Sequence, residues 1–286
     1  MNQTIIRTGD TPILQQNKIG DLEYLTFPML TATRMVKHLF STRLGGVSED
    51  IFSTMNLSYT RGDNKVYVDE NYRRIAQALN VDMADFVCSD QTHTTNIRQV
   101  TRADAGKGIL YKKDYADVDG LITDEPGLVL ATFYADCVPL FFVDPMHRAI
   151  GLSHSGWRGT VAGMAKRTVE EMNHAFGSRP EELVAAIGPS ICQNCYEVSR
   201  DVAEEFMQVF PDQKRQEQVL KPGRPDKYQL NLWMANYYLM QEAGIPASQI
   251  SVTDICTCCN SSYLFSHRAS QGRRGNLGAF LCLKQP

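Results

Sequence analysis

The feature that most restricts how this chain can fold is a succession of short apolar runs, several of which follow one another with no helical pattern between them. Runs of strand length fall at residues 22–30, 38–42, 86–88, 128–134, 140–143, 149–153, 183–187, 250–255 and 278–283. Helical periodicity is clear at 70–79, 160–176, 201–210 and 230–243, the last stopped by Gly244 and Pro246. A regular βαβ winding would put a helix between each pair of strands. The irregular interleaving instead predicts an α/β fold with mixed β-sheet layers flanked by helices. No repeat, low-complexity tract or linker divides the 286 residues, so one domain spanning 1–286 is expected. The polar stretch 211–227, with its three prolines, reads as a surface loop.

Composition narrows the function classes. With 43% hydrophobic and 21% charged residues the chain can bury a sizeable core. A net charge of -3 gives no footprint for nucleic acid, and the pairs Lys112-Lys113 and Arg273-Arg274 are too short for a polybasic tether. The start, Met1-Asn2-Gln3-Thr4, lacks the pattern of a secretory signal, and no 18-residue apolar run follows, so the expectation is a cytoplasmic protein with no membrane partner. Eight cysteines are too sparse for a disulfide scaffold and are expected as thiols, ligands or nucleophiles.

Two segments carry the densest unusual text: Ala135-Asp136-Cys137-Val138-Pro139, and His154-Ser155-Gly156-Trp157-Arg158-Gly159-Thr160. Each sets a nucleophilic or ligating side chain where an apolar run breaks into turn residues. A strand entering the Gly156–Gly159 turn and then a helix from Thr160 would also aim free N–H groups at an anion. Upstream, Asp90-Gln91-Thr92-His93 closes another apolar stretch. His93, Cys137 and His154 together would leave one tetrahedral position of Zn²⁺ free, as in a catalytic site. The intervals, 44 and 17 residues (137 − 93 and 154 − 137), match no local metal motif, and a core thiol with hydrogen-bonded histidines is the plain structural alternative.

Further motifs carry a resemblance. Phe40-Ser41-Thr42-Arg43-Leu44-Gly45-Gly46-Val47-Ser48, Gln91-Thr92-His93, Asp119-Gly120-Leu121-Ile122-Thr123-Asp124, the Cys137 and His154 blocks, Ile187-Gly188-Pro189 and Tyr196-Glu197-Val198 closely resemble the YfiH-like family, in order from about residue 38 to 283. That family, once described as polyphenol oxidase or laccase-domain, is described as purine nucleoside phosphorylase with adenosine deaminase activity. The resemblance implies a three-layer α/β fold, zinc held by His93, Cys137 and His154, and cleavage of adenosine, inosine, guanosine and methylthioadenosine with phosphate. Thr94, Ser153, Ser155 and the Ser266-His267-Arg268-Ala269 stretch depart from the family's usual residues.

For phosphate, Arg43 on the Gly45-Gly46 turn is the first candidate because a guanidinium fork matches the anion bidentately; Arg61 and Arg158 follow. Asp136, beside the ligand, is the candidate acid–base group for deamination, since the familiar H-x-E and P-C-x-x-C signature is absent. A metal-free hydrolase with Cys137 as nucleophile and His154 as base is an alternative, as is a non-enzymatic binding module. A copper-type phenol oxidase has the right two His and one Cys for a single blue-copper centre, but multicopper laccases need about ten histidines and this chain has 6. Cys192, Cys195, Cys256, Cys258 and Cys259 raise the question of a second metal; the second cluster reads as C-x-C-C, and buried or half-buried thiols are the preferred reading. Partners are small molecules, with a monomer or a homodimer left open.

Overall fold

The computed structural model describes residues 5–285, so the segment 1–4, read above for its lack of a secretory signal, lies outside the described residues. Two six-stranded sheets form the centre. The first runs β1 (Gln15–Ile19), β2 (Leu22–Thr26), β3 (Val36–Ser41), β15 (Leu277–Leu283), β7 (Val129–Tyr134), β4 (Phe86–Cys88). The second runs β14 (Ile250–Val252), β10 (Val184–Ile187), β8 (Val138–Asp144), β9 (Ala149–Ser155), β6 (Gly120–Thr123), β5 (Ile97–Gln99). A small third sheet orders β11 (Glu197–Ser199), β13 (Lys227–Leu230), β12 (Leu220–Pro222). Both large sheets are mixed: β4 pairs with β7, and β5 with β6, in parallel, whereas β8 and β9 are antiparallel neighbours.

Alternation along the strands sets the layering. In β8, every residue of which is buried, Val138, Leu140 and Phe142 face a core shared with the helices Met164–Phe176, Arg200–Val209 and Leu232–Glu242. Phe141 and Val143 point the other way, into a core between the two sheets. In β15, Leu277, Ala279, Leu281 and Leu283 join that central core, while Phe280 and Cys282 pack against Val68, Tyr72, Ile75 and Leu79 of the helix Lys65–Leu79. The expected mixed sheets flanked by helices are therefore present. Because each sheet is apolar on both faces, the order is helices, sheet, sheet, helix, one layer more than the three implied by the resemblance.

Local chemistry explains where the elements depart from the sequence pattern. The run 22–30 stops at Thr26 because Pro28 opens a short helix, Pro28–Ala32. The helix expected at 160–176 is two, Trp157–Val161 and Met164–Phe176, divided at Gly163 with φ +79°. The stretch read as a loop at 211–227 holds the helix Gln213–Val219, whose first turn is capped by Asp212 accepting from the Arg215 N–H at 3.0 Å, and the edge strand β12, where Pro222 is tolerated. Among the described residues no helix is long and apolar enough to cross a membrane.

Candidate metal centre and active site

Two loops and the end of a strand bring the ligating side chains together. His154 is the penultimate residue of β9 and is 3% exposed. Cys137 lies in the short bend that links β7 of the first sheet to β8 of the second, directly after Asp136, which has φ +88°. His93 sits in the turn after β4 with φ +68°. Left-handed backbone at two non-glycine residues beside one site costs energy that the surrounding contacts must offset.

At His93 the offset comes from Asp119, which is fully buried just before β6. Its carboxylate accepts the successive backbone N–H groups of Thr92, His93 and Thr94 at 2.9, 3.1 and 2.9 Å. The same carboxylate lies 2.8 Å from Nδ1 of His154, and its carbonyl accepts the His154 N–H at 2.7 Å. One aspartate therefore fixes the turn that carries the first histidine and the ring orientation of the second, turning Nε2 of His154 towards Cys137. In the sequence Asp119 stands within the Asp119–Asp124 motif with no local feature that marks this role.

The three ligand atoms lie within 4.8 Å of one another, with Cys137 Sγ 3.9 Å from His93 Nε2. Glycine is required beside them: a Cβ on Gly156 would stand 2.9 Å from His93 Cδ2 and 3.2 Å from Cys137 Sγ. Burial pushes the Cys137 thiol up, but the charge and hydrogen bond of His154, with those of His93, outweigh it and bring it down to about 6. Burial likewise pushes His154 down, yet the Cys137 thiolate and Asp119 raise it to about 9. Cys137 and His154 thus form a charge-separated pair, a state suited to a nucleophile or to binding a cation in place of the proton.

These groups line a cavity of about 390 Å³, within the range of small-molecule sites, together with Tyr59, Phe133, Arg61, Lys113 and Arg274. Burial and the neighbouring Arg61 hold Arg274 down to about 10, and its buried Nε has no hydrogen-bond partner. Lys113 pairs with Asp90 and donates to the Ser89 carbonyl at 2.9 Å.

Of the sequence candidates for phosphate, Arg61 lines this cavity, and Arg43 and Arg158 do not. Arg43 donates to the carbonyls of Ser53 and Ser261 at 2.9 and 2.8 Å and lies over the Phe265 ring. The glycines beside it serve close backbone approach: a Cβ on Gly45 would meet the Asp21 carbonyl oxygen at 2.2 Å, and one on Gly46 the Thr54 carbonyl oxygen at 2.1 Å. Arg158 is exposed and stacks on Trp157. Asp136 is also turned away from the cavity, its carboxylate accepting from Thr257 Oγ1 at 2.6 Å and from the Arg268 N–H at 2.7 Å. Those bonds hold the bend before Cys137 and leave Asp136 a positioning residue.

Fold and cavity together define an α/β protein whose cavity holds a His–Cys–His group with the donor set and spacing to take a metal ion. Residues 37–284 match the family described as multi-copper polyphenol oxidoreductase laccase, and the chain belongs to that family. It is 35% identical over 247 residues to the purine nucleoside phosphorylase YlmD of Bacillus subtilis, covering 86% of this chain and 88% of that one. It is 34% identical over 231 residues to an adenosine deaminase from an unknown prokaryotic organism, covering 80% and 87%. The crystal structure of YlmD from Geobacillus stearothermophilus superposes with a TM-score of 0.88 at 33% identity, over 96% of this chain and 100% of that one.

Proposed function

We propose that this chain is a zinc-dependent purine nucleoside phosphorylase that also deaminates adenosine, with His93, Cys137 and His154 as the metal ligands. The observation that carries the reading is the placement of that donor set and the Arg61–Arg274 pair in one cavity. Tetrahedral zinc, with bonds of about 2.0–2.1 Å to nitrogen and 2.3 Å to sulfur, needs its N and S ligands about 3.6 Å apart. The 3.9 Å between Cys137 Sγ and His93 Nε2 fits. Zinc suits the site better than a multicopper set, because His93 and His154 alone among the 6 histidines line the cavity. His38, for example, lies buried with Nε2 accepting the Phe27 N–H at 2.8 Å.

When bound, zinc supplies Lewis acidity at the cavity wall. The protein's own groups do the rest. Arg61 and Arg274, two adjacent guanidinium groups lacking a carboxylate partner in the cavity lining, bind and orient phosphate for attack on the sugar. Phe133 and Tyr59 give an aromatic wall for a purine. Asp119 holds His154 in the tautomer that keeps Nε2 turned to Cys137. The substrates are intracellular nucleosides and inorganic phosphate, in keeping with the cytoplasmic location expected from the sequence.

The test is a panel of adenosine, inosine, guanosine and methylthioadenosine, each with and without phosphate, beside elemental analysis of the same preparation. Phosphate-dependent release of base, lost on chelation and restored by zinc, is expected. Phosphate-independent turnover of every substrate would overturn the phosphorylase assignment. A second reading has its own observation: Asp119, His154 and Cys137 are chained as acid, base and thiolate, the arrangement of a metal-free cysteine hydrolase.

A further inference from the structure

Outside the cavity the fold gathers four more thiols. Cys192 caps and Cys195 ends the 3₁₀ turn Gln193–Cys195 that leads from β10 into β11. Cys256 and Cys259 belong to the turn after β14. A parallel bridge between Ser190 and Cys256 brings the two turns side by side. The four sulfur atoms all lie within 4.8 Å of one another, and Cys259 Sγ is 3.4 Å from Cys195 Sγ and 3.9 Å from Cys192 Sγ. Four sulfurs about 2.3 Å from a tetrahedral zinc ion stand about 3.8 Å apart, so these separations are those of a tetrathiolate cage.

Two further observations point the same way. The backbone N–H groups of Cys192 and Cys259 both donate to Cys256 Sγ, at 3.2 and 3.4 Å. Such N–H···S bonds orient a thiolate ligand and stabilise its charge. The spacing is also regular once the fold selects the members. Cys192 and Cys195 are C-x-x-C, and so are Cys256 and Cys259, while Cys258 lies between the latter two and outside the set. The C-x-C-C appearance of the sequence hid this pairing.

The cage has a structural consequence at the cavity. The Asp136 carbonyl accepts the Ile191 N–H at 3.0 Å, and the Asp136 carboxylate accepts from Thr257. One bond comes from each cysteine turn, and both end on the residue before Cys137.

We propose that Cys192, Cys195, Cys256 and Cys259 form a second, closed metal site, a structural zinc centre that staples the 191–195 and 256–259 turns and so fixes the Asp136 backbone beside the cavity. Four protein ligands leave no position for substrate, which makes the centre structural. It depends on no part of the phosphorylase reading.

The experiment uses the full chain purified with zinc. Two metal ions per chain are expected in the unchanged protein, one in C137A, none in C137A/C259S, and no loss from C258S. Loading C137A with cobalt(II) is expected to give the intense visible absorption of a tetrathiolate ion, a readout that needs no substitution in the cluster. A C137A protein that holds no metal and whose four thiols alkylate promptly, or which contains a Cys195–Cys259 disulfide, would overturn the proposal. Failure of the cavity site would look different: C137A and the unchanged protein would then carry equal metal.

Discussion

Oδ1 of Asp119 stands 2.8 Å from Nδ1 of His154 and accepts the backbone N–H of His93 at 3.1 Å, so one buried carboxylate fixes both histidines of the cavity. Asn at this position keeps an acceptor but loses the charge and one acceptor oxygen. Asp119→Asn is therefore expected to weaken zinc at the cavity site by about 10–100-fold, as outer partners of metal ligands do. Competition against a graded chelator reads this directly, and unchanged affinity would remove Asp119 from the role.

The state of Cys137 separates a metal enzyme from a cysteine hydrolase. In metal-stripped protein the thiol is lowered to about 6, so its alkylation rate is expected to be high at pH 7 and to fall roughly tenfold per unit as pH drops below 6. With zinc present the sulfur is engaged, and labelling is expected to be slow. Site-resolved mass spectrometry beside an activity assay gives the answer. Prompt labelling of zinc-loaded protein, with activity indifferent to chelation, would select the hydrolase.

The arginines make opposite predictions. Losing one charged hydrogen bond to phosphate costs about 1.5–3 kcal/mol, so Arg274→Ala is expected to raise the phosphate KM or lower kcat/KM for phosphate by about 10–100-fold, with far less effect on deamination. Arg43→Ala leaves the carbonyls of Ser53 and Ser261 without their donor and is expected to lower Tm while sparing the phosphate KM. The reverse pattern would restore Arg43 as the phosphate ligand.

His38 predicts a pH dependence of stability. Burial and then the Lys284 charge hold its pKa down to about 4, against about 6.5 in an unfolded chain. Between those values the unfolded state binds a proton that the native state refuses, so stability is complete above about pH 6.5 and is lost as pH falls towards 4, by about 3 kcal/mol. Urea unfolding of the unchanged protein and His38→Gln at pH 7 and 4.5 tests this. The variant is expected to lose less on acidification, and equal losses would assign the effect to other groups.

What the sequence made legible was local. Cys137 and His154 stand where apolar runs break, and the breaks are visible without a structure. Asp119 was hidden because its work is done across the sheet edge, on a turn 25–27 residues upstream and a strand 35 residues downstream. Arg274 is in the sequence only half of a short basic pair, and nothing local announces that it lines the cavity beside Arg61. Arg43 drew attention through neighbouring glycines that exist to admit the Asp21 and Thr54 carbonyls. Helix and strand limits slipped for similar reasons: Pro28 and Gly163 act at single positions inside otherwise smooth patterns.

The place of β15 has a consequence for how the molecule is made. Leu277–Leu283 is inserted between β3 and β7, so during synthesis the first sheet stays split, with two open edges, until residues 277–283 have been made. Arg274 arrives just ahead of that strand. A nascent chain can therefore complete the segments that carry His93, Cys137 and His154 well before β15 is made, whereas the cavity lining at Arg274 and Asn276 arrives with that strand, and a product cut short before it has neither a sealed first sheet nor a complete cavity wall.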